Sequence, residues 1–184
     1  MRIIAGKFRG TKLADVGAGD TAAHLRPTSD RVRESLFSML THLKVIQGAR
    51  VLDLFAGTGA LGLEALSRGA KSAVFVENGR VAQKLITENL AKLDTKDDAV
   101  LMRNDATALG PWIAEPFTLV FLDPPYGEKL GQQALAKAQA GDWLAPQATI
   151  IWEENALMNA PKGFERIDKR SYGDTHITVL RYTG

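Results

Sequence analysis

The sequence predicts an α/β fold: a mostly parallel β-sheet with helices on both faces, preceded by a small β-hairpin. Three observations carry this. From residue 51 onward, short apolar runs alternate with amphipathic stretches. The runs at 51–55, 73–76, 118–122 and 149–152 are apolar almost throughout, which suits parallel strands covered on both faces. A glycine-rich turn, Gly57-Thr58-Gly59-Ala60-Leu61-Gly62, joins the first of these runs to a helix. The chain has 184 residues and 20.0 kDa, which fits one domain.

Each element follows from local chemistry. Residues 2–5 and 11–16 read as short strands around Gly6-Lys7-Phe8-Arg9-Gly10, a hairpin. Residues 17–24 read as a loop, being rich in Gly, Ala, Asp and Thr. Thr28 or Ser29 caps a helix whose apolar side is Val32, Leu36, Phe37, Leu40 and Leu43, and which ends before Gly48. Strand 51–55 leads through the glycine turn to helix 60–68, stopped by Gly69. Strand 73–76 precedes helix 80–93, which carries Val81, Leu85, Ile86, Leu90 and Leu93 on one side. Strands at 100–102 and 118–122, a helix at 130–140, a strand at 149–152 and a closing hairpin at 164–172 and 175–182 complete the chain.

Composition removes several function classes. With no cysteine there is no disulfide framework, no thiolate zinc site and no cysteine nucleophile. His24, His42 and His176 lack ligand-like spacing, so no metal is expected. No apolar run reaches the ~20 residues of a membrane span. The first ten residues lack the apolar core of a signal peptide, so the expected location is cytoplasmic. The formal net charge of +2 hides an asymmetry: residues 1–33 carry +4 and the remainder −2.

The glycine turn fits G-x-G-x-x-G between a strand and a helix, and Glu77 lies 20 residues past Gly57. This is the Rossmann-like recipe for a nucleoside. Glycines let the backbone approach the ligand, and the acid accepts from ribose hydroxyls. A nicotinamide dinucleotide would bring a pyrophosphate to the helix N-terminus. S-adenosylmethionine brings an ammonium and a carboxylate instead. Asp53, two residues before Phe55, suits an acceptor for that ammonium, and Asp105, beside Ala106 at the close of the third strand, suits an acceptor for the adenine amine. For Asp105 alone, a turn cap is the competing reading.

Asp123-Pro124-Pro125-Tyr126 follows the most apolar strand. Two prolines make a stiff segment without N–H donors. The group suits one task, holding a flat ring by an exocyclic amine. The Asp123 carboxylate accepts one amine hydrogen, the Pro124 carbonyl accepts the other, and Tyr126 stacks on the ring.

Together, Asp53-Leu54-Phe55-Ala56-Gly57-Thr58-Gly59 and Asp123-Pro124-Pro125-Tyr126 resemble the class I S-adenosylmethionine-dependent amino-methyltransferases. The segments 2–10, 26–28, 30–34 and 61–69 and Tyr172-Gly173 resemble the bacterial family that methylates the exocyclic N2 amine of a guanine in 16S ribosomal RNA. The resemblance runs from residue 2 to the C-terminal strand. It implies a Rossmann-like class I methyltransferase with a seven-stranded sheet, catalysis by Asp123, Pro124, Pro125 and Tyr126, and cofactor contacts from Asp53, Phe55, Ala56, Gly57, Gly59, Glu77, Asn78, Asp105 and Ala106. One departure stands out. The family has a second acid two positions after Glu77, where this chain has Gly79, which touches a helix cap or a secondary cofactor contact, with Asn78 as the local substitute.

Residues 1–27 read as a basic hairpin extension and 28–184 as the methyltransferase domain. Lys7, Arg9, Lys12, Arg31 and Arg33 form a one-sign patch of the kind that tracks phosphates. Phe8 either adds a stacking surface or packs the hairpin. Thr28 and the helix start it opens are placed to receive the methionine carboxylate. The expected partner is 16S ribosomal RNA, free or in a small-subunit assembly particle, with the enzyme a monomer. The competing readings are a DNA adenine-N6 methyltransferase, which shares the chemistry, a nicotinamide-dependent oxidoreductase using the glycine turn, and a cofactor-binding scaffold without activity.

Overall fold

A computed structural model describes residues 1–15, 29–95 and 97–184. Helix α1 (Asp30–His42) comes first, followed by β1 (Arg50–Leu54), α2 (Ala60–Ser67), β2 (Ser72–Val76), α3 (Arg80–Lys92) and β3 (Ala99–Met102). A 3-10 turn at Ala106–Ala108 leads to β4 (Phe117–Leu122), α4 (Leu130–Ala140), β5 (Leu144–Glu154), β6 (Phe164–Tyr172) and β7 (Thr175–Tyr182). Among the described residues the strands form one seven-stranded sheet in the order β3-β2-β1-β4-β5-β7-β6. The first five run parallel, and β7 lies antiparallel to both β5 and β6. The expected α/β class, with a mostly parallel seven-stranded sheet, is therefore present. The chain winds outward from β1 to β3 and then returns to place β4 on the other side of β1. The switch in winding lies between β1 and β4, and that is where such sheets open a crevice at their carboxyl ends.

Strand alternation sends side chains to two cores. One face carries Val51, Phe75, Leu119, Phe121 and Ile151, packed against Leu36, Phe37 and Leu40 of α1, Leu63 and Leu66 of α2, and Ile86 of α3. The other carries Leu52, Leu54, Val120, Leu122, Ile150 and Trp152 against Ala134, Leu135 and Ala138 of α4. Asp53 follows the parity of Val51, and Asp123 that of Phe121, so both emerge on the α1–α2–α3 face. No helix of the described residues is long and apolar enough to cross a membrane.

The amino terminus differs from a regular hairpin. Among the described residues its two arms share one antiparallel bridge, Arg2 with Lys12, where strands at 2–5 and 11–16 are expected; residue 16 lies outside the described residues. The physical reason is competition from α2. The Ile4 and Ala5 amides donate to the buried Glu64 carboxylate at 2.8 and 3.0 Å, the Lys7 amide to the Ser67 carbonyl at 2.8 Å, and the Phe8 amide to Ser67 Oγ at 3.0 Å. Gly6 makes this possible: a Cβ there would lie 1.8 Å from the Ser67 carbonyl oxygen. Ile3 and Leu13 enter the same core as α1 and α2, so residues 1–15 are built into the domain. The boundary near residue 27 and the loop at 17–24 lie outside the described residues.

Candidate functional site

A tight turn leads from the carboxyl end of β1 into α2 and lies against the end of β2. Phe55 takes φ 60°, Gly57 57° and Gly59 77°. For a phenylalanine this left-handed conformation costs on the order of 1–3 kcal/mol and is found where surrounding structure enforces it. Ala56 is pinned on both sides: its amide donates to the Val76 carbonyl at 3.2 Å, and its own carbonyl accepts from Gly59 at 2.7 Å. The third glycine of the motif has a packing role. A Cβ on Gly62 would lie 2.4 Å from a Phe75 ring carbon and 3.1 Å from Asp53 Oδ2. Glycine lets the first turn of α2 rest on that ring, and the Gly62 amide donates to Asp53 at 2.9 Å.

Asp53 is 1% exposed. Burial pushes its carboxyl up to about 8, the Gly62 hydrogen bond works against this, and the Glu77 carboxylate adds to it. Glu77 itself joins three pieces. Its Oε2 accepts from the Gly57 amide at 2.9 Å and its Oε1 from the Gly79 amide at 2.7 Å, while its carbonyl accepts from Gln83 at 2.9 Å. An ionised carboxylate has about four acceptor positions, so ligand hydroxyls can still be received. The departure at Gly79 is resolved locally. Gly79 is the N-cap of α3 without a side-chain cap, and a Cβ there would lie 3.0 Å from Glu77 Oε1. Asn78 stays exposed. Asp105 caps the 3-10 turn, its Oδ1 accepting from the Thr107 amide and hydroxyl at 2.7 Å each, and the neighbouring Ala106 is buried. The turn-cap task is thus the one Asp105 performs in this structure.

Beyond β4, Pro124 is buried, Pro125 exposed and Tyr126 half-buried. Asp123 is drawn towards β1, its amide donating to the Leu54 carbonyl at 3.4 Å. Burial holds the Asp123 carboxyl well above the usual carboxylate range, and the nearby carboxylates of Glu153, Asp53 and Glu154 push the same way. The Tyr126 hydroxyl donates to Glu153 Oε1 at 3.0 Å. Burial, then Glu153, raises the Tyr126 phenol above its ordinary range.

Glu153 and Glu154 are residues that the sequence reading missed. They are 5% and 4% exposed at the end of β5. The signal was present: Trp152-Glu153-Glu154 places acids at the carboxyl end of an apolar strand, as Leu122-Asp123 does. Acidic groups therefore gather along the ends of β1, β2, β4 and β5. Such a set receives cations and hydrogen-bond donors: an ammonium, ribose hydroxyls, an exocyclic amine. It disfavours a pyrophosphate.

Of the expected phosphate contacts, Lys7, Arg9, Lys12 and Arg31 are exposed. Lys7 pairs with Asp98 at 3.7 Å and stands 4.7 Å over the ring of Phe8, which itself packs against the core. Arg33 is a correction. It is 0% exposed, and its Nη2 donates to the Arg2 carbonyl and to Asp30 Oδ1 at 2.7 Å each, so it braces the amino terminus and cannot reach a phosphate from this position. Its place in helical register, with Phe37 and Leu40, was the available sign. Thr28 lies outside the described residues.

Comparison with known proteins agrees with this geometry. The family model described as Conserved hypothetical protein 95 matches residues 1–181. Ribosomal RNA small subunit methyltransferase D of Escherichia coli K12 is 41% identical over 164 residues, covering 88% of this chain and 79% of that protein. The protein of the same name in Haemophilus influenzae is 37% identical over 180 residues, covering 94% and 89%. A solved Escherichia coli structure, the candidate methyltransferase yhhF, superposes with a TM-score of 0.84 at 34% identity, covering 100% of this chain and 98% of that one.

The raised Asp53 carboxyl has a consequence for stability. Between the ordinary value of 3.8 and about 8 the folded protein holds a proton that the unfolded chain releases, so this group lowers stability as pH rises through that window. The slope it adds approaches about 1.4 kcal/mol per pH unit. Asp53→Asn is expected to flatten the fall in stability between pH 5 and 8, read by denaturant unfolding of the free protein. An unchanged slope would show that Asp53 carries no such load.

Proposed function

Because the chain belongs to the Conserved hypothetical protein 95 family, we propose that it transfers a methyl group from S-adenosylmethionine to the exocyclic N2 amine of a guanine in 16S ribosomal RNA. The observation that carries the reading is the gathering of Asp53, Glu77, Asp123 and Glu153 around the switch between β1 and β4, with Tyr126 beside them. Relatives called ribosomal RNA small subunit methyltransferase D support the substrate. The acceptor set fits the cofactor: Asp53 for the ammonium, Glu77 for the ribose, the Phe55-to-Gly59 turn for close backbone approach, and Asp105, whose turn cap uses Oδ1 alone, for the adenine amine. A nicotinamide dinucleotide fits poorly, since its pyrophosphate would meet this acidic set at the start of α2.

When bound, S-adenosylmethionine supplies an electrophilic methyl on a sulfonium. The residues of the chain do the rest by placement. The extruded base stacks on Tyr126. Asp123 and the Pro124 carbonyl accept the two amine hydrogens, and the nitrogen lone pair is left aimed at the methyl. Methylation would require the amine to shed one proton, and Asp123, placed to accept one of the amine hydrogens, would pass it on to water. Pro125 stiffens the segment. Lys7, Arg9, Lys12 and Arg31 track RNA phosphates. The enzyme works as a monomer in the cytoplasm, on free RNA or a small-subunit particle.

Asp123→Ala is expected to lower methyl transfer on the order of 100-fold or more, while calorimetry finds cofactor affinity nearly unchanged. Transfer that survives the substitution would contradict the mechanism. Neutralising Lys7, Arg9 and Lys12 together is expected to weaken RNA binding and to reduce the log–log salt slope by about two. An unaltered slope would remove this hairpin from the RNA interface.

A further inference from the structure

Glu153 is a buried carboxylate that the transfer chemistry above does not use. Leu122 of β4 pairs with Trp152 of β5, so the next register step sets Asp123 beside Glu153 on the same sheet face. Burying one carboxylate beside another is unfavourable, and a fold keeps the arrangement only where hydrogen bonds or function hold it. One such bond is to the site's aromatic ring: the Tyr126 hydroxyl donates to Glu153 Oε1 at 3.0 Å. The side chain of Thr175, the first residue of β7, lies beside the same phenol. Three pieces of chain converge on one hydroxyl: the segment after β4, the end of β5 and the start of β7.

That convergence fixes the ring at both ends. Pro124 and Pro125 restrict the backbone leading into Tyr126, and Glu153 holds the far, phenolic end. A ring tethered only at its Cα would sweep through several rotamers, and a base stacked on it would sweep with it. We infer that Glu153 is a positioning residue: through the Tyr126 hydroxyl it sets the angle at which the target base stacks, and hence the line from the amine nitrogen to the methyl group. The inference rests on the functional reading above and deepens it. It assigns Glu153 to kcat and leaves cofactor binding to β1 and β2.

The test is a double-mutant cycle with methyl transfer to small-subunit RNA as the readout. Glu153→Ala and Tyr126→Phe are each expected to lower kcat on the order of 10- to 100-fold, with the KM for S-adenosylmethionine unchanged. The double variant is expected to lose no more than either single one, because both remove the same tether. Glu153→Gln keeps an oxygen acceptor for the phenol and is expected to retain most of the wild-type kcat. If Glu153→Ala fails to fold, Tyr126→Phe and Glu153→Gln still decide: one must fall and the other must not. Additive losses, a wild-type kcat in Tyr126→Phe, or a Glu153→Gln variant as slow as Tyr126→Phe would each overturn the inference alone. Absence of transfer by the wild-type protein would overturn the functional reading and this inference with it.

Discussion

The carboxylate of Glu77 accepts from the amides of Gly57 and Gly79, and so ties the end of β2 to the glycine turn and to the start of α3. The Gly62 amide does the same for Asp53 and α2. These bonds meet a constraint that governs the whole molecule. A parallel sheet that binds a cationic ligand must gather acids at one end, and acids gathered in a buried place repel one another. Backbone amides at the strand–helix turns hold them without introducing counter-cations that would compete with the ligand. The requirement then spreads outward. Gly62 must be small so that its amide can arrive, Phe55 must accept a left-handed backbone, and α2 must lie close against Phe75.

A second, smaller constraint joins the amino terminus to this machinery. Glu64 sits on α2, fully buried, and receives the amides of Ile4 and Ala5 together with Arg68 Nε at 2.7 Å. Ser67 at the end of the same helix holds Lys7 and Phe8. The helix that opens at the glycine turn is therefore also the dock for the exposed cations Lys7, Arg9 and Lys12. On the proposed reading, one short helix sets the distance between the phosphate contacts and the cofactor site. Arg33 strengthens the same junction from α1 by reaching the Arg2 carbonyl.

The sheet, the crossover helices and the glycine turn were legible because they rest on local pattern: apolar runs, helical spacing and glycines at sharp turns. The segment Asp123-Pro124-Pro125-Tyr126 stood out in the sequence because two prolines after an apolar strand have few other uses. What stayed hidden depends on burial and on partners far apart in sequence. Glu153 gains its meaning from Tyr126, 27 residues earlier, and no spacing rule connects them. Arg33 reads as one more surface cation until the fold encloses it. The regular hairpin expected at residues 2–16 gives way to a single bridge because α2 takes the amides, a competition that local propensity does not contain. Asp105 illustrates the reverse case, since the plain turn-capping reading is the one its hydrogen bonds satisfy.

On the proposed function, this acidic crevice presents a guanine amine to a methyl donor. The most direct measurement incubates the protein with S-adenosylmethionine carrying an isotopically labelled methyl and with small-subunit RNA from cells lacking the enzyme. The RNA is then digested to nucleosides and the labelled product identified by mass spectrometry. Labelled N2-methylguanosine is the expected product. Label in N6-methyladenosine, or in no nucleoside at all, would contradict that function.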